Sequence, residues 1–233
     1  MSRVVVLAGG SPHAHDFPAI GTALLQMASE MGHAVQLVAD PDCAARLITD
    51  TETSPVDALV VDGLWWRMLG DQYQTWRGEY GYSPSQATRE AFTAFVNDGG
   101  GLVALHTTAI CFDDWPQWGD VVGGSWQWGT SSHPPVGPVA ASVVRQHPVV
   151  AGLPAEIVLR DEVYGDMRVN DSVDVLAVAK RHADDADQPV VWAHSYGRGR
   201  VVFDGFGHDV DSVRQPHHAQ LIEQALTWVL EGD

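Results

Sequence analysis

The chain has 233 residues, of which 45% are hydrophobic and 18% charged, and this size and composition predict a single globular domain spanning residues 1–233. Its 30 Asp and Glu residues against 13 Lys and Arg give a formal net charge of −17. Because so acidic a surface repels phosphate backbones and anionic lipids, we expect neither nucleic-acid nor membrane partners.

Two cysteines, Cys43 and Cys111, are too few for a disulfide framework or a cysteine-rich zinc site. The apolar run at the N-terminus is too short for a signal peptide. No apolar stretch reaches the roughly 20 residues that a membrane helix needs. We therefore expect a cytoplasmic protein.

Hydrophobic periodicity predicts alternating strands and helices in the first half of the chain. The apolar run Val4–Leu7 is typical of a strand covered on both faces. An apolar stripe at helical spacing predicts a helix over residues 17–31. The other predicted elements are strands over 34–38, 58–61 and 102–105, and helices over 42–50 and from Ser83 to a stop at Asp98. This order indicates an α/β fold with an open, mostly parallel sheet and helices on both faces.

The pattern is lost from Asp113 to Pro138, where Trp, Gly, Ser and Pro dominate. A segment of this length without periodicity is typical of a functional or mobile loop. Further strands are predicted over 139–144, 173–179, 189–193 and 200–206, and a final helix over 216–230.

Two predicted strands run directly into a histidine. His106 follows the apolar run Gly101–Leu105, and His208 follows the run that begins at Arg200. Ligands of open α/β sheets bind beyond the carboxyl ends of the strands. We therefore expect the two imidazoles to share one small-molecule site.

The loop after the first strand carries Gly9-Gly10 and then His15-Asp16. Two glycines at a strand–helix junction let the backbone approach a ligand closely. His15 and Asp16 are candidates for the same crevice, although Asp16 is equally suited to cap the helix from Phe17. Because the G-x-G-x-x-G spacing is missing, no nucleotide cofactor is expected.

Glu162 is the candidate general base or metal ligand, and the alternative is an exposed surface residue without a role in the site. Histidine and carboxylate ligands suit Zn, Mn or Fe better than Mg, and the candidate ligands for a divalent ion, Zn or Mn, are His106, His133 and His208. The spacing matches no metal motif such as H-E-x-x-H, so the presence of a metal stays open.

Seven of the nine tryptophans fall into two clusters among Gly, Asp, Gln and Ser: Trp65, Trp66 and Trp76, and Trp115, Trp118, Trp126 and Trp128. Aromatic faces with polar neighbours suit a sugar ring. The C–H faces of the sugar stack on the aromatic rings, and its hydroxyls form hydrogen bonds with the polar groups. A lid or a subunit interface would explain the same clusters, so a homo-oligomer is also expected. No G-x-S-x-G motif occurs and Cys111 does not follow a strand, which disfavours covalent acyl transfer.

A series of short motifs in fixed order covers nearly the whole chain: Gly9-Gly10 with His15-Asp16, Gly99-Gly100-Gly101-Leu102 before His106, Val122-Gly123-Gly124 before His133, His147-Pro148, Asp161-Glu162-Val163-Tyr164, Pro189-Val190-Val191-Trp192, Gly197-Arg198-Gly199-Arg200 and Gly207-His208-Asp209. With this series the chain resembles the ThuA-like, or trehalose-utilisation, proteins. The resemblance implies a class I glutamine amidotransferase-like, flavodoxin-type fold without the amidotransferase cysteine. It also implies a role in disaccharide or keto-sugar metabolism.

The hypothesis that follows is an enzyme acting on a keto-sugar such as 3-keto-trehalose or a 3-keto-glucoside, by isomerase- or lyase-type acid/base chemistry. Glu162 or His208 would be the base, His106 or His133 the electrophile, and Asp209 would orient His208. The predicted substrate contacts are His15, Asp16, Trp65, Trp66, Trp126, His133 and Tyr164. Two rival hypotheses are a sugar-binding or regulatory protein without catalysis and a metal-dependent hydrolase.

Overall fold

A mixed β-sheet lies at the centre of the protein, whose structure, a computed structural model, describes residues 1–13, 15–50, 52 and 54–231. Among these residues nine strands form the sheet in the order β2-β1-β3-β4-β11-β10-β9-β6-β7. Their bounds are β1 Arg3–Gly10, β2 Ala34–Val38, β3 Ala58–Leu64, β4 Gly101–Leu105, β6 Gly137–Val143, β7 Glu156–Asp161, β9 Asp174–Ala179, β10 Gln188–Tyr196 and β11 Gly199–Asp204. A separate two-stranded sheet pairs β5 (Gly124–Ser125) with β8 (Arg168–Val169).

Five neighbouring strands, β2-β1-β3-β4-β11, run parallel to one another. The strand order reverses at β1, because the chain goes first to β2 on one side and then to β3 on the other. In doubly wound folds of this order, ligands bind beyond the carboxyl ends of the strands at this reversal. The remaining four strands extend the sheet in antiparallel fashion from β11 through β10, β9 and β6 to β7.

Helices cover both faces of the sheet, and β1 shows why. Val4 and Val6 pack in one hydrophobic core together with apolar residues of the first and last helices. Val5 and Leu7 pack in a second core on the opposite face. A strand buried on both sides needs a continuous apolar run, and this is what the sequence supplies. The helices are α1 Phe17–Glu30, α2 Pro41–Thr49, α3 Gln74–Tyr80, α4 Gln86–Asn97, α5 Gln117–Val122, α6 Val210–Val213 and α7 Pro216–Leu230.

The predicted α/β class is confirmed, and the predicted elements agree with the structure to within a few residues. The bounds of β2 and α7 match the prediction, and α1 ends one residue earlier than expected. Three helices, α3, α5 and α6, were not predicted, because each has seven residues or fewer and shows no helical apolar stripe. None of the helices among the described residues is both long and apolar enough to cross a membrane.

Most of the clustered tryptophans are interior residues rather than exposed ones. Trp65, Trp66, Trp115 and Trp118 are only 2–5% exposed, whereas Trp128 is 52% exposed. The indole N–H of Trp118 donates to the main chain of Thr108, which satisfies its polar atom inside the core. The segment from Asp113 to Pro138 therefore contributes to the core, and the support for an oligomer from exposed tryptophans is reduced.

Candidate active site

The structure brings the two strand-end histidines together. β4 and β11 are parallel neighbours, and the ring centroids of His106 and His208 lie 5.6 Å apart. His15 enters the same space from the loop after β1, with its ring centroid 5.1 Å from His106 and 4.5 Å from His208. Three imidazoles therefore meet at the carboxyl ends of three parallel strands.

His106 is fully buried and held at both ring nitrogens. Its Nδ1 lies 2.9 Å from the carbonyl oxygen of Gly205, which can only accept, so Nδ1 carries the proton. Its Nε2 then accepts from the hydroxyl of Tyr164 at 2.9 Å. Burial is the largest influence on this ring and lowers the pKa of His106 to about 4, so the imidazole is neutral.

His106 also has an unusual backbone. Its φ of +44° lies in the left-handed region, which is rare for a residue with a side chain. The hydroxyls of Thr107 and Thr108 fix the turn by donating to the carbonyls of Gly63 and Val61, at 2.7 and 2.8 Å. Strained residues that are over-determined in this way cluster at functional sites.

Glu162 is the charged centre of the site. It follows the last residue of β7, and its Oε2 lies 3.2 Å from Nδ1 of His133, 3.5 Å from Nδ1 of His208 and 3.6 Å from Nε2 of His106. Burial alone would raise the pKa of Glu162, but its interactions with His133 and His208 outweigh burial and hold that pKa well below its usual value. Glu162 is therefore a carboxylate.

The histidines around Glu162 divide into two kinds. Interaction with Glu162 raises the pKa of His133 and of His208 above the ordinary value, against the opposing effect of burial. Burial, reinforced by His106 and His208, lowers the pKa of His15 to about 3. His133 and His208 can therefore carry a proton beside the carboxylate, while His15 and His106 stay neutral.

A cavity of about 340 Å³ opens in front of this cluster. Its polar end is lined by His15, His133, Glu162, Tyr164 and His208, while His106 lies behind these side chains. Its other walls are mainly aromatic and apolar: His13, Leu64, Trp66, Met68, Tyr73, Trp76, Ile110, Trp126 and Trp128. His13 stacks on Trp76 with centroids 4.3 Å apart, and Trp126 meets Tyr164 edge-on at 5.3 Å.

A second, fully buried polar layer lies close to the histidines, and sequence reasoning missed it. Asp62 on β3 and Asp204 on β11 are both in register with Leu105 of β4, so the two aspartates occupy one row across three strands. Nε2 of His218 on α7 lies 2.9 Å from Oδ2 of Asp204. Each aspartate ends an apolar run and precedes a glycine, a repeated pattern that could have revealed them.

Asp62 differs from its neighbours because neither of its carboxyl oxygens has a hydrogen-bond partner among the described residues. Burial, together with the charges of Asp161 and Asp204, raises the pKa of Asp62 well above its usual value. A Cβ atom added to Gly207 would lie 3.6 Å from Oδ2 of Asp62, so this neutral acid lies next to the loop that carries His208.

Asp161, the last residue of β7, is hydrogen-bonded to the loop that carries His208. Its Oδ2 accepts from the main-chain N–H of Gly207 at 2.9 Å and from the hydroxyl of Ser212, and its Oδ1 accepts from the N–H of Glu162 at 2.7 Å. One buried carboxylate therefore fixes the backbone on either side of the site, at Glu162 and just before His208.

Three predicted site residues lie elsewhere. Asp16 caps α1 by accepting from the N–H of Ala19, and Asp209 caps α6 by accepting from the N–H of Ser212. Trp65 packs in the core, where its ring stacks over Phe112, rather than against the cavity.

Burial raises the pKa of the Cys111 thiol far above its usual value, which leaves it an unreactive core residue.

The comparison with protein families decides the affiliation, because residues 3–229 match the family model ThuA, described as trehalose utilisation. The chain belongs to the ThuA family. This confirms the resemblance drawn from the sequence motifs, and the family's description supports a carbohydrate-related role. None of the curated proteins compared with the sequence matches it significantly.

Solved structures share the fold of this ThuA-family chain. A ThuA-like protein from Parabacteroides merdae ATCC 43184 has a TM-score of 0.77 at 20% identity, covering 99% of this chain and 90% of that one. A second, from Bacteroides uniformis ATCC 8492, has a TM-score of 0.72 at 20% identity, covering 98% and 91%. A protein from Salmonella typhimurium LT2 described as cytoplasmic has a TM-score of 0.65 at 13% identity, covering 98% and 99%. At such identities these neighbours establish the fold alone.

Proposed function

We propose that this ThuA-family protein is an enzyme that acts on a keto-sugar or keto-disaccharide by isomerase- or lyase-type acid/base chemistry. The observation that carries the proposal is the position of Glu162. Its carboxylate lies between His133 and His208, at the polar end of a cavity whose other walls are aromatic. The cavity volume of about 340 Å³ lies within the range of small-molecule sites.

The proposed reaction begins at a carbon next to the ketone, where the C–H bond is acidified. The Glu162 carboxylate removes that proton, and the electrons of the C–H bond form an enolate. A protonated His133 or His208 donates a hydrogen bond to the enolate oxygen as its charge develops. Where the deprotonated carbon carries a hydroxyl, the original carbonyl oxygen takes a proton from the imidazolium and that hydroxyl returns one to the imidazole as it becomes the new carbonyl. Glu162 then returns its proton to the former carbonyl carbon, which completes an isomerisation. Expelling an oxygen substituent from the next carbon, with a proton supplied by the imidazolium, completes an elimination.

The contacts of Glu162 with His133 and His208 give it a route to become a stronger base when substrate is present. In the structure, His133 and His208 hold the pKa of Glu162 low. A carbonyl oxygen that takes over one of these donors withdraws it from the carboxylate. The basicity of Glu162 then rises at the moment when the acidic C–H is in place.

His106 is a positioning residue in this proposal, because Tyr164 and His208 separate it from the cavity. Its Nε2 accepts from the Tyr164 hydroxyl, which lines the cavity. On the sequence alone, His106 is a candidate electrophile. The ring is neutral and both of its nitrogens are hydrogen-bonded. It is therefore better suited to holding Tyr164 in place than to donating a proton to the substrate.

The aromatic walls support a sugar as the substrate. Trp126 and Trp128 offer faces on which the C–H groups of a sugar ring can stack. The indole N–H of Trp66 is buried at the cavity wall without a partner among the described residues. A buried N–H without a partner is costly, and a substrate hydroxyl would satisfy it.

The test is turnover of 3-keto-trehalose and 3-keto-glucosides in D₂O, followed by NMR. Deuterium entering the carbon beside the ketone reports proton abstraction, and release of the second ring or aglycone reports elimination. We expect Glu162→Gln to lower kcat by at least about 100-fold, the usual contribution of a positioned base. Glu156→Gln, an exposed carboxylate at the start of the same strand β7, is the matched control and should leave kcat unchanged.

The main competitor is a sugar-binding protein without catalysis. Calorimetry with the same panel separates the two functions. Binding without deuterium incorporation or product in any keto-sugar would overturn the enzyme proposal, as would a Glu162→Gln variant with full activity. Retained sugar affinity in that variant, together with lost turnover, supports it.

A further inference from the structure

The three imidazoles at the inner end of the cavity surround a common point. The rings of His15, His106 and His208 are mutually edge-on, with interplanar angles between 72° and 87°. One ring nitrogen of each lies within 4.8 Å of the corresponding nitrogens of the other two. The three rings therefore offer three nitrogens that are close enough to converge on one ion.

Main-chain hydrogen bonds take up the outer nitrogen of two of these rings, and the other nitrogen of His106 is engaged by the Tyr164 hydroxyl. His106 donates through Nδ1 to the carbonyl of Gly205, so Nε2 carries the lone pair. His15 donates to the main-chain carbonyl of His208, and its Nδ1 is buried without a partner among the described residues. Metal-bound histidines are held in this way, with the outer N–H on a carbonyl and the inner nitrogen on the ion.

Nδ1 of His208 is the third such nitrogen. It is buried without a hydrogen-bond partner of good geometry among the described residues, and its nearest charge is Oε2 of Glu162 at 3.5 Å. Leaving two buried ring nitrogens unpartnered costs free energy unless something binds them. The site also has a carboxylate within reach, which supplies negative charge beside the cluster.

We propose that His15, His106 and His208 bind one divalent transition-metal ion, with Zn²⁺ as the first candidate. Imidazole nitrogens favour zinc over magnesium or calcium, and three protein ligands with one open position are typical of catalytic zinc sites. Zn–N bonds of about 2.0–2.1 Å require the rings to close in by roughly an ångström. The open position would face the cavity beside Glu162.

This ligand set differs from the one predicted from sequence, which included His133 in place of His15. In the structure Nδ1 of His133 lies 3.2 Å from Glu162 and 3.1 Å from the carbonyl of Pro134, and the ring is not part of the three-histidine group. Metal binding is measured without substrate, so its failure and the failure of the keto-sugar reaction are distinguishable. With the ion bound, His208 would be a neutral ligand, and His133 would be the imidazolium that serves the enolate.

The test uses the full chain carrying a purification tag without histidine, stripped with a chelator and dialysed. Calorimetric titration with Zn²⁺ and Mn²⁺ should give one ion per chain, with Zn²⁺ tighter. Co²⁺ should produce the visible absorption bands of a low-coordinate nitrogen site. His15→Gln and His208→Gln should each weaken Zn²⁺ binding by more than about 100-fold, since even outer partners of a metal ligand are worth 10–100-fold.

Two further variants make the assignment specific. His182 is an exposed histidine outside the three-histidine group, so the variant His182→Gln should bind Zn²⁺ like the unaltered protein. His133→Gln should lose less than about tenfold, because His133 would act only through Glu162. Circular dichroism of each variant verifies that the fold is retained.

A substitution of Tyr164 is expected to leave Zn²⁺ affinity unchanged or to increase it, unlike the histidine substitutions. The Tyr164 hydroxyl occupies the lone pair of His106 Nε2 at 2.9 Å, so an ion must displace it. Tyr164→Phe should therefore bind Zn²⁺ at least as tightly as the unaltered protein. The proposal is overturned if no stoichiometric ion binds, if His15→Gln and His208→Gln bind like His182→Gln, if His133→Gln loses as much as they do, or if Tyr164→Phe loses affinity.

Discussion

At the scale of single residues, the fold devotes buried polar groups to holding the site. The clearest example is the pair formed by His218 and Asp204, which are 1% and 0% exposed. Burial alone would lower the pKa of His218, but the charge of Asp204 and the hydrogen bond to it outweigh burial and raise that pKa to about 9. The pair joins α7 to the end of β11, next to the loop that carries His208.

Replacing His218 should therefore cost stability in a pH-dependent way. His218→Gln leaves the Asp204 carboxylate buried without its partner, and we expect a loss of about 3–5 kcal/mol in the free energy of unfolding near pH 6.5. Because the folded-state pKa is raised, the stabilisation is fully present below about pH 6.5 and is lost as the pH rises through about 9.

Urea unfolding at pH 6.5 and at pH 9.5 measures this effect. The difference between the unaltered protein and His218→Gln should shrink at the higher pH. His217→Gln, the exposed neighbour on α7, is the control and should stay within about 0.5 kcal/mol at both pH values. A difference that does not change with pH would mean that His218 is uncharged in the folded protein.

At the scale of elements, the site depends on loops that are held by strands distant in sequence. Glu162 follows β7, at one edge of the sheet order, while His208 follows β11 in its middle. Asp161 connects the two by accepting from the N–H groups of Glu162 and Gly207. Gly207 has a φ of +120°, a conformation that a residue with a side chain rarely adopts, and this places His208 over the cavity.

Asp161→Asn should weaken this connection. An amide presents an N–H₂ group to one of the donors that the carboxylate now satisfies, so we expect a loss of about 1–3 kcal/mol in the free energy of unfolding. Denaturant unfolding at pH 7 measures it. Asp209→Asn is a matched control, because Asn caps a helix about as well as Asp and the cost should be within about 0.5 kcal/mol. Equal losses in both variants would contradict a special role for Asp161.

At the scale of the whole molecule, the excess of negative charge is the dominant electrostatic feature. A net charge of −17 on 233 residues produces repulsion that the compact state must tolerate. The described surface pairs several arginines with aspartates, as in Arg89–Asp114 at 2.9 Å, but acidic residues outnumber basic ones more than twofold.

Salt should therefore stabilise the protein. Raising NaCl from 0.01 to 0.1 M shortens the screening length from about 30 to about 10 Å, which weakens repulsion between separated carboxylates. We expect Tm to rise, by about 2–4 °C for each kcal/mol gained in a chain of this size. Calorimetry at the two concentrations measures the shift, and a Tm that falls with salt would mean that attractive ion pairs dominate instead.

The sequence by itself determined the α/β class, the parallel strands and the edge of the sheet at which chemistry occurs. Apolar runs and helical stripes are local signals, and a histidine or a glycine directly after a strand is visible in the chain. His106, His208 and His15 could be placed at the site on these grounds. Glu162 could be named as a candidate because it stands among motifs that resemble the ThuA family.

Only the tertiary structure decided which of these residues touch. The sequence could not show that His106 lies behind the cavity wall, that His15 rather than His133 completes the three-histidine group, or that Trp65 is a core residue. Asp62, Asp204 and His218 were not named from the sequence, and only the structure showed that they form a buried polar layer near Asp161. The reason is physical: contact between residues far apart in the chain, such as His15 and His208, is set by strand order and by packing across the sheet. Neither of these leaves a periodic signal in the chain.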